Sequence, residues 1–238
     1  MPDLSLDVIN KIIELGQPGT VDVAGFNYST RQLHPVKYPS PDSLTLSTLQ
    51  GLVNYIVRNV DTLEAKDLMV VVDGPEDVRL ISNLTDTEQR DTFLACDLPH
   101  EVYQFGHWQD QEAFTIALQT QFMATPERDN LLQVVGALTA EEITLSEDDG
   151  VSQKITARAG VALKDRLTLP SPVALKPFRT FREVDQPESI FILRAKKGSM
   201  GVALALYEAD GGAWRLQAIS NIAQWLESKI STNVAILA

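Results

Sequence analysis

The hydrophobic periodicity of the chain changes near residue 140. Before this point apolar residues recur at helical spacing, as in Leu49, Leu52 and Ile56. After it, apolar and polar residues alternate in short runs that prolines interrupt, which is typical of strands. The sequence therefore predicts an α+β protein, in which a mixed helix–strand half at 1–138 packs on an antiparallel, β-rich half at 139–238 that ends in a helix. Because no Pro/Gly/Ser linker separates the halves, we expect one packed unit.

Turn and cap residues mark the ends of the predicted elements. An amphipathic helix around Val8 and Ile13 is expected to stop at Gly16, and Ser43 or Ser47 is the predicted N-cap of the next helix. A final helix is predicted to begin after Ser220. The apolar tail at 234–237 is expected to dock on a neighbour. Strands are predicted at 68–72, 78–84, 92–96, 173–175, 178–181, 190–194 and 202–207.

Charge and cysteine content narrow the class of protein. The net charge is −12 and the pI is near 4.6, so the whole-molecule field does not attract a nucleic-acid backbone or an anionic membrane. The single cysteine, Cys96, excludes an intrachain disulfide and cysteine-rich zinc sites, and its apolar neighbours predict a buried thiol. The acidic N-terminus lacks the pattern of a signal peptide, and no apolar stretch is long enough to span a bilayer. We therefore expect a cytoplasmic protein without a membrane partner.

Catalytic and cofactor motifs are absent from the sequence. There is no Walker A, Gly-x-Gly-x-x-Gly or Gly-x-Ser-x-Gly pattern, and the three histidines form no metal-binding pair. His107 with Asp110 is the best candidate for a general base, although a histidine at a helix start is the simpler interpretation. The acidic run at 147–150 is interpreted as a hairpin tip. We predict no catalytic residue, no metal and no cofactor.

Basic residues are concentrated in one segment. Residues 154–182 contain seven basic residues and one acid, and therefore carry +6, which leaves −18 for the rest of the chain. Within this segment cations alternate with aromatic residues, as in proteins that bind nucleotides or single-stranded nucleic acid. The alternative is that these cations pair with acidic residues while the phenylalanines fill the core. The candidate ligand-binding residues are Lys176, Phe178, Arg179, Phe181 and Arg182.

Several runs in the β-rich half resemble proteins encoded by bacteriophages and prophages. The layout also distantly resembles the phage family that includes enterobacterial YfdQ, which pairs a helix–strand first half with a β-rich second half. The resemblance covers roughly residues 20–225 and carries no catalytic signature, so it implies a phage-encoded, intracellular setting but no site residue. The runs are Asp148-Asp149-Gly150-Val151-Ser152-Gln153, Pro172-Val173-Ala174-Leu175-Lys176-Pro177-Phe178-Arg179-Thr180-Phe181, Asp185-Gln186-Pro187 and Glu208-Ala209-Asp210-Gly211-Gly212-Ala213-Trp214.

These observations together predict a non-enzymatic phage accessory protein of the host cytoplasm. It is expected to act as a homo-oligomer that binds a partner or ligand, because segregated charge favours association between identical chains. Two alternatives stay open. One is a protein that binds or sequesters a nucleotide or single-stranded nucleic acid, and the other is a structural component of the virion.

Overall fold

The computed structural model describes residues 5–30, 42–85, 88–98, 102–138, 144–148, 153–159, 163–198, 201–231 and 233–238. Contacts between residues divide the chain into two compact units, Met1–Ser40 and Pro41–Ala238. The predicted division between 138 and 139 falls inside the second unit and stays a prediction. Helices and strands occur in both units, and the α+β class is confirmed.

The first unit contains one helix and one hairpin. Helix α1 (Leu6–Gly16) has the bounds that its periodicity and Gly16 predict. Strands β1 (Thr20–Val23) and β2 (Phe26–Ser29) pair antiparallel around Ala24 and Gly25, both of which have positive φ as a tight hairpin turn requires. None of the residues of α1 is buried.

A mixed five-stranded sheet forms one part of the second unit. The order is β14-β4-β5-β6-β3, in which β14 and β3 pair parallel to their neighbours and the central strands are antiparallel. Helix α2 (Leu49–Arg58) follows β3, and a short 3-10 helix at Ala65–Asp67 precedes β4. The strands are β3 (Leu44–Leu46), β4 (Leu68–Val72), β5 (Asp77–Ser82), β6 (Thr92–Asp97) and β14 (Ala235–Leu237).

An antiparallel four-stranded sheet forms another part of the second unit. Its order is β11-β12-β13-β7, and helices α3 (Gln111–Gln121) and α4 (Pro126–Ala137) pack against it. Thr125 caps α4, since its hydroxyl accepts from the Arg128 N–H at 3.2 Å. The strands are β7 (Gln109–Asp110), β11 (Val173–Leu175), β12 (Ser189–Gly198) and β13 (Gly201–Glu208).

Three further strands form an antiparallel sheet of order β10-β9-β8. Much of the predicted basic segment lies here, because β9 and β10 contain Lys154, Arg158, Lys164 and Arg166. In the ladder Arg158 is paired with Lys164. The bounds are β8 (Thr144–Asp148), β9 (Gln153–Ala159) and β10 (Leu163–Thr168).

The buried apolar residues of the second unit group into two cores. The first core lies between the five-stranded sheet, α2 and the last helix, α5 (Trp214–Lys229), and includes Leu52, Val70 and Leu226. The second core lies between the four-stranded sheet and helices α3 and α4, and includes Phe114, Phe191 and Leu204. The segment 176–188 connects β11 to β12 and contributes Phe181 and Val184 to the first core.

Two predicted helix starts and the predicted docking of the C-terminal tail are wrong. The N-cap of α2 is Thr48 rather than Ser43 or Ser47, because the Thr48 hydroxyl is the one that accepts from the Gly51 N–H, at 3.2 Å. Helix α5 begins at Trp214, six residues before the predicted cap Ser220, since the turn at Gly211 and Gly212 leads directly into it. The tail at 234–237 forms β14 on the chain's own β4.

One cysteine thiol and two tyrosine hydroxyls of the second unit have raised pKa values. Burial raises the pKa of Cys96 to about 12, and the thiol donates to the Thr48 carbonyl at 3.4 Å. Burial, followed by a hydrogen bond to Asp61, raises the pKa of Tyr55 to about 12. Burial also raises the pKa of Tyr103. In all three cases folding favours the protonated form.

We expect the free energy of unfolding to fall as the pH rises above 9. The thiol of the unfolded chain titrates near its ordinary value of 9.0, whereas the buried Cys96 thiol keeps its proton until about 12. Between these values the unfolded state binds fewer protons, so this group alone removes up to about 1.4 kcal/mol per pH unit. Urea unfolding at about pH 8 and about pH 10 measures the loss. The Cys96→Ala variant should lose less stability over the same interval, and equal losses would contradict the assignment.

Candidate functional site

The predicted ligand-binding segment lies between β11 and β12. The prediction of a strand at 178–181 is wrong, because the backbone there forms no ladder. The segment is instead anchored to the end of α3: the Phe178 N–H donates to the Gln121 carbonyl at 2.9 Å, and the Met123 N–H donates to the Lys176 carbonyl at 2.8 Å. This anchoring leads the chain from the second core towards the first.

The side chain of Gln186 determines the path of this segment. It is buried, and its Oε1 accepts from the N–H groups of Arg179 (3.0 Å) and Thr180 (3.2 Å). Its Nε2 donates to the carbonyls of Phe181 (2.9 Å) and Val184 (3.2 Å). A single amide therefore satisfies backbone groups that a sheet would otherwise pair, which explains why an alternating sequence does not form a strand here.

Arg179 is the largest of the fully buried side chains, with 1% of its surface exposed. Its Nη1 donates to Glu208 Oε1 at 2.6 Å, and its Nη2 donates to the Ser189 hydroxyl. Ser189 in turn donates to Asp210 Oδ2 at 2.6 Å. The guanidinium is thus held by two carboxylates, one directly and one through a hydroxyl, as a buried charge requires.

Aromatic rings complete the surroundings of Arg179. The guanidinium carbon lies 4.0 Å from the centroid of the Trp214 ring, within the range of a cation–π interaction. It is also 5.7 Å from the Phe191 centroid and 5.8 Å from the Phe105 centroid, and these two rings stack on each other at 5.0 Å. Trp214 begins α5 and Phe191 belongs to β12, so this cluster joins the last helix to the four-stranded sheet.

The pKa values reflect this environment. Burial lowers the pKa of the Arg179 guanidinium to about 10, and the charges of Glu208 and Asp210 oppose the shift. Burial acts to raise the pKa of Asp210, but hydrogen bonds from Ser189 and from the Gly212 N–H outweigh it, so that this pKa lies below its usual value. At neutral pH the site therefore holds a charged guanidinium near the ionised carboxylate of Asp210.

An open pocket of about 430 Å³ lies against this cluster. One wall is the β4–β5 turn, whose Pro75 carbonyl accepts from the Thr180 hydroxyl at 2.5 Å. The other walls come from β13, from the residues before β7 and from the first turn of α5. The pocket is lined by Gly74, Pro75, Glu76, Asp77, Val102, Phe105, Arg179, Glu208, Trp214 and Arg215.

Two hydrogen-bond donors of the pocket residues lack an acceptor. Arg179 Nε and Trp214 Nε1 are buried and have no hydrogen-bond partner among the described residues. A buried N–H without an acceptor costs about 1–3 kcal/mol. Both N–H groups are closed off from solvent, so they do not face the open pocket that their side chains line.

The five predicted residues do not converge on one site. Arg179 lines the pocket, whereas Phe181 is fully buried in the first core. Arg182 lies over the Phe178 ring, with 3.7 Å between the guanidinium carbon and the centroid, and neither side chain lines the pocket. Lys176 is half-buried and lies outside the pocket lining as well.

Sequence reasoning missed the other pocket residues. Glu208 ends an otherwise apolar strand, and Trp214 follows the Gly211-Gly212 turn, but both lie far from Arg179 along the chain. Phe105 gave no signal beyond its aromatic character. An acid at the end of a buried strand was the one available hint, since such a group needs a cation nearby.

His107 and Asp110, the candidate general-base pair, have different hydrogen-bond partners. His107 Nδ1 lies 3.2 Å from the Phe105 carbonyl, and the Asp110 carboxylate caps α3 by accepting from the Ala113 N–H at 2.8 Å. Asp110 thus has a structural role. Glu147 and Asp148 of the predicted tip at 147–150 belong to β8 and pair with β9, whereas residues 149 and 150, like His34 and His100, lie outside the described residues. Within the described ranges, no group of three or more acidic, histidine or cysteine side chains could hold a metal ion.

Comparisons of the chain with protein-family models, curated proteins and solved structures find no match. In the described part of the chain, no helix has both the length and the hydropathy needed to cross a membrane.

Proposed function

We propose that the chain is a binding protein that holds a nucleoside monophosphate in the pocket beside Arg179. The observation that carries this proposal is a pocket lining that combines the aromatic rings of Phe105 and Trp214 with the exposed guanidinium of Arg215. Pockets that bind small molecules combine apolar walls with a few fixed polar groups, and about 430 Å³ is within their usual range.

The chemistry of the lining supports a nucleotide over a purely apolar ligand. A base can stack on the rings of Phe105 and Trp214, and the carboxylate of Glu76 is an acceptor for an exocyclic amino group. The exposed guanidinium of Arg215 can pair with a phosphate. Because Glu76 and Asp77 repel further negative charge, a monophosphate fits better than a triphosphate.

A binding role is favoured over catalysis because the carboxylates nearest to Arg179 are already engaged in hydrogen bonds. Glu208 is tied to Arg179, and Asp210 is tied to Ser189 and to the Gly212 N–H. A general base has to be free to accept a proton from a substrate. The arrangement instead holds the wall of the pocket in place for recognition.

Isothermal titration calorimetry with nucleosides and with nucleoside mono- and triphosphates tests the proposal. We expect at least one monophosphate to bind more tightly than its triphosphate. Trp214→Phe replaces the indole with a smaller ring, which reduces the surface on which a base can stack, and should weaken binding about 3- to 10-fold. Arg215→Met should weaken binding of the monophosphate about 10-fold or more, and binding of the nucleoside less.

Matched controls exist on the same chain. Trp225→Phe changes a tryptophan that does not line this pocket, and Arg58→Met changes an exposed arginine at the end of α2. Both should leave the affinity unchanged. Absence of heat and of any shift in Tm with every nucleotide at millimolar concentration would contradict the nucleotide proposal.

The phage setting stays part of the proposal. We propose that the protein acts as an accessory protein in the cytoplasm of the infected host, as the resemblance implies. Mass spectrometry of infected-cell lysate and of purified virions separates this role from the alternative. Recovery in the virion at a fixed copy number would favour a structural component, and recovery only from the lysate would favour the accessory role.

A further inference from the structure

We propose that helix α1 and the β1–β2 hairpin form a surface on which two copies of this chain associate. This goes beyond ligand binding, since none of the residues involved lines the pocket at Arg179. The partner that covers this surface is the same surface of a second copy of the chain.

Helix α1 is divided into an apolar half and a polar half. At 100° per residue, its apolar residues lie within one half of the helix circumference, and Asp7, Asn10, Lys11 and Glu14 lie within the other. The apolar side chains are 41–74% exposed, and Ile9 and Ile12 lie near the centre of this face. Five of the side chains on this apolar face are Leu6, Val8, Ile9, Ile12 and Ile13.

The hairpin has an apolar face as well. Val21 pairs with Tyr28 and Val23 pairs with Phe26, so these positions share one face of the ladder. The opposite face carries Thr20, Asp22, Asn27 and Ser29. Val21, Val23 and Tyr28 are 49–54% exposed.

The exposed apolar area matches what a stable dimer buries. Each of the five side chains of the α1 face exposes on the order of 100 Å², so two copies of this face alone bury about 1,000 Å² in total, the size at which an interface becomes specific, and the hairpin face adds to it. An isolated helix of 11 residues and an isolated two-stranded hairpin are both marginal in water, so these elements gain most of their stability from whatever covers them.

The distribution of charge favours a second copy as the occupant. Residues 1–40 contain four acidic and three basic residues and therefore carry −1, whereas the rest of the chain carries −11. Two such units approach each other with little repulsion, and a two-fold interface uses the same patch on both chains. The polar half of α1 has one lysine and lacks the basic residues by which an amphipathic helix binds an anionic membrane.

Size-exclusion chromatography with light scattering on the full chain tests the proposal. We expect a dimer at micromolar concentration. Ile12→Glu places a charge at the centre of the apolar face and should raise the dimer Kd about 100-fold or more. Asn10→Glu adds the same charge to the polar half of the same helix and should leave Kd within about 3-fold of the wild type.

Cysteine cross-linking keeps the test decisive if Ile12→Glu disrupts the helix. In a Cys96→Ala background, Ile12→Cys should form an intermolecular disulfide under mild oxidation, and Asn10→Cys should not. A monomeric wild type at high micromolar concentration would overturn the proposal. So would a dimer that Ile12→Glu and Asn10→Glu affect equally, or a monomer that floats with vesicles of phosphatidylcholine and phosphatidylglycerol.

Discussion

Replacing Gln186 with glutamate is expected to lower the free energy of unfolding by about 3–5 kcal/mol at neutral pH. The amide Nε2 donates to the carbonyls of Phe181 and Val184, and Gln186 is 4% exposed. A carboxylate at this position points an acceptor at two acceptors in a site that excludes water. Chemical denaturation measured by circular dichroism, with the midpoint compared at constant slope, gives the loss.

The pH dependence of the free energy of unfolding of Gln186→Glu shows whether the buried charge causes the loss of stability. A buried carboxyl beside carbonyl oxygens has its pKa raised above the unfolded value of about 4.3, so its protonated form is the stable one in the folded state. The destabilisation should therefore be smallest below pH ~4.3 and should grow as the pH rises. Gln186→Met removes the amide without adding a charge and should be destabilised equally across this range. Gln133→Glu, on the exposed side of α4, should change stability by less than about 0.5 kcal/mol. A Gln186→Glu variant as stable as Gln133→Glu would refute the role assigned to this amide.

Glu208→Gln is the second substitution with a large expected effect. It keeps the shape of the side chain but removes the charge that pairs with Arg179 at 2.6 Å. The guanidinium is 1% exposed, so it cannot recover hydration, and we expect a loss of about 3 kcal/mol. The Glu208 side chain itself is 31% exposed, which means that the penalty arises on the arginine side of the pair.

A double variant separates charge from packing. Adding Arg179→Met to Glu208→Gln removes the unpaired buried charge while keeping an unbranched side chain against Trp214 and Phe191. We therefore expect the double variant to be more stable than Glu208→Gln alone. Thermal and denaturant unfolding of the wild type, both single variants and the double variant complete the cycle. A double variant less stable than either single variant would show that the contacts of the arginine outweigh the cost of its buried charge.

Elements with strong local patterns were predictable from the sequence. Helix α4 has a threonine cap followed by proline, and the β4–β5 hairpin has a continuous apolar run ended by Asp73-Gly74. Both signals depend on neighbouring residues. The strand predicted at 178–181 failed for the opposite reason, because the backbone there is paired by the side chain of Gln186 and by the end of α3. Neither partner can be recognised from local periodicity.

The candidate site was predictable only through Arg179. The alternation of cations with aromatic residues at Lys176, Phe178 and Arg179 marked an unusual segment. It suggested a single binding surface, whereas in the structure the segment runs from the second core to the first. The partners of Arg179 come from β13 and α5, and their chemistry is ordinary until the fold brings them together. A single sequence contains no signal for such long-range pairing.

The parallel pairing of β14 with β4 has a consequence for biosynthesis. Met69 to Val71 are made early, but the strand beside them, Ala235–Leu237, leaves the ribosome more than a hundred residues later. Until then β4 has one open edge, and the first core lacks Ile222, Leu226 and Val234. The five-stranded sheet therefore cannot be completed before residues 235–237 have been made. In the partly made chain, the open edge of β4 is a site where another strand can pair.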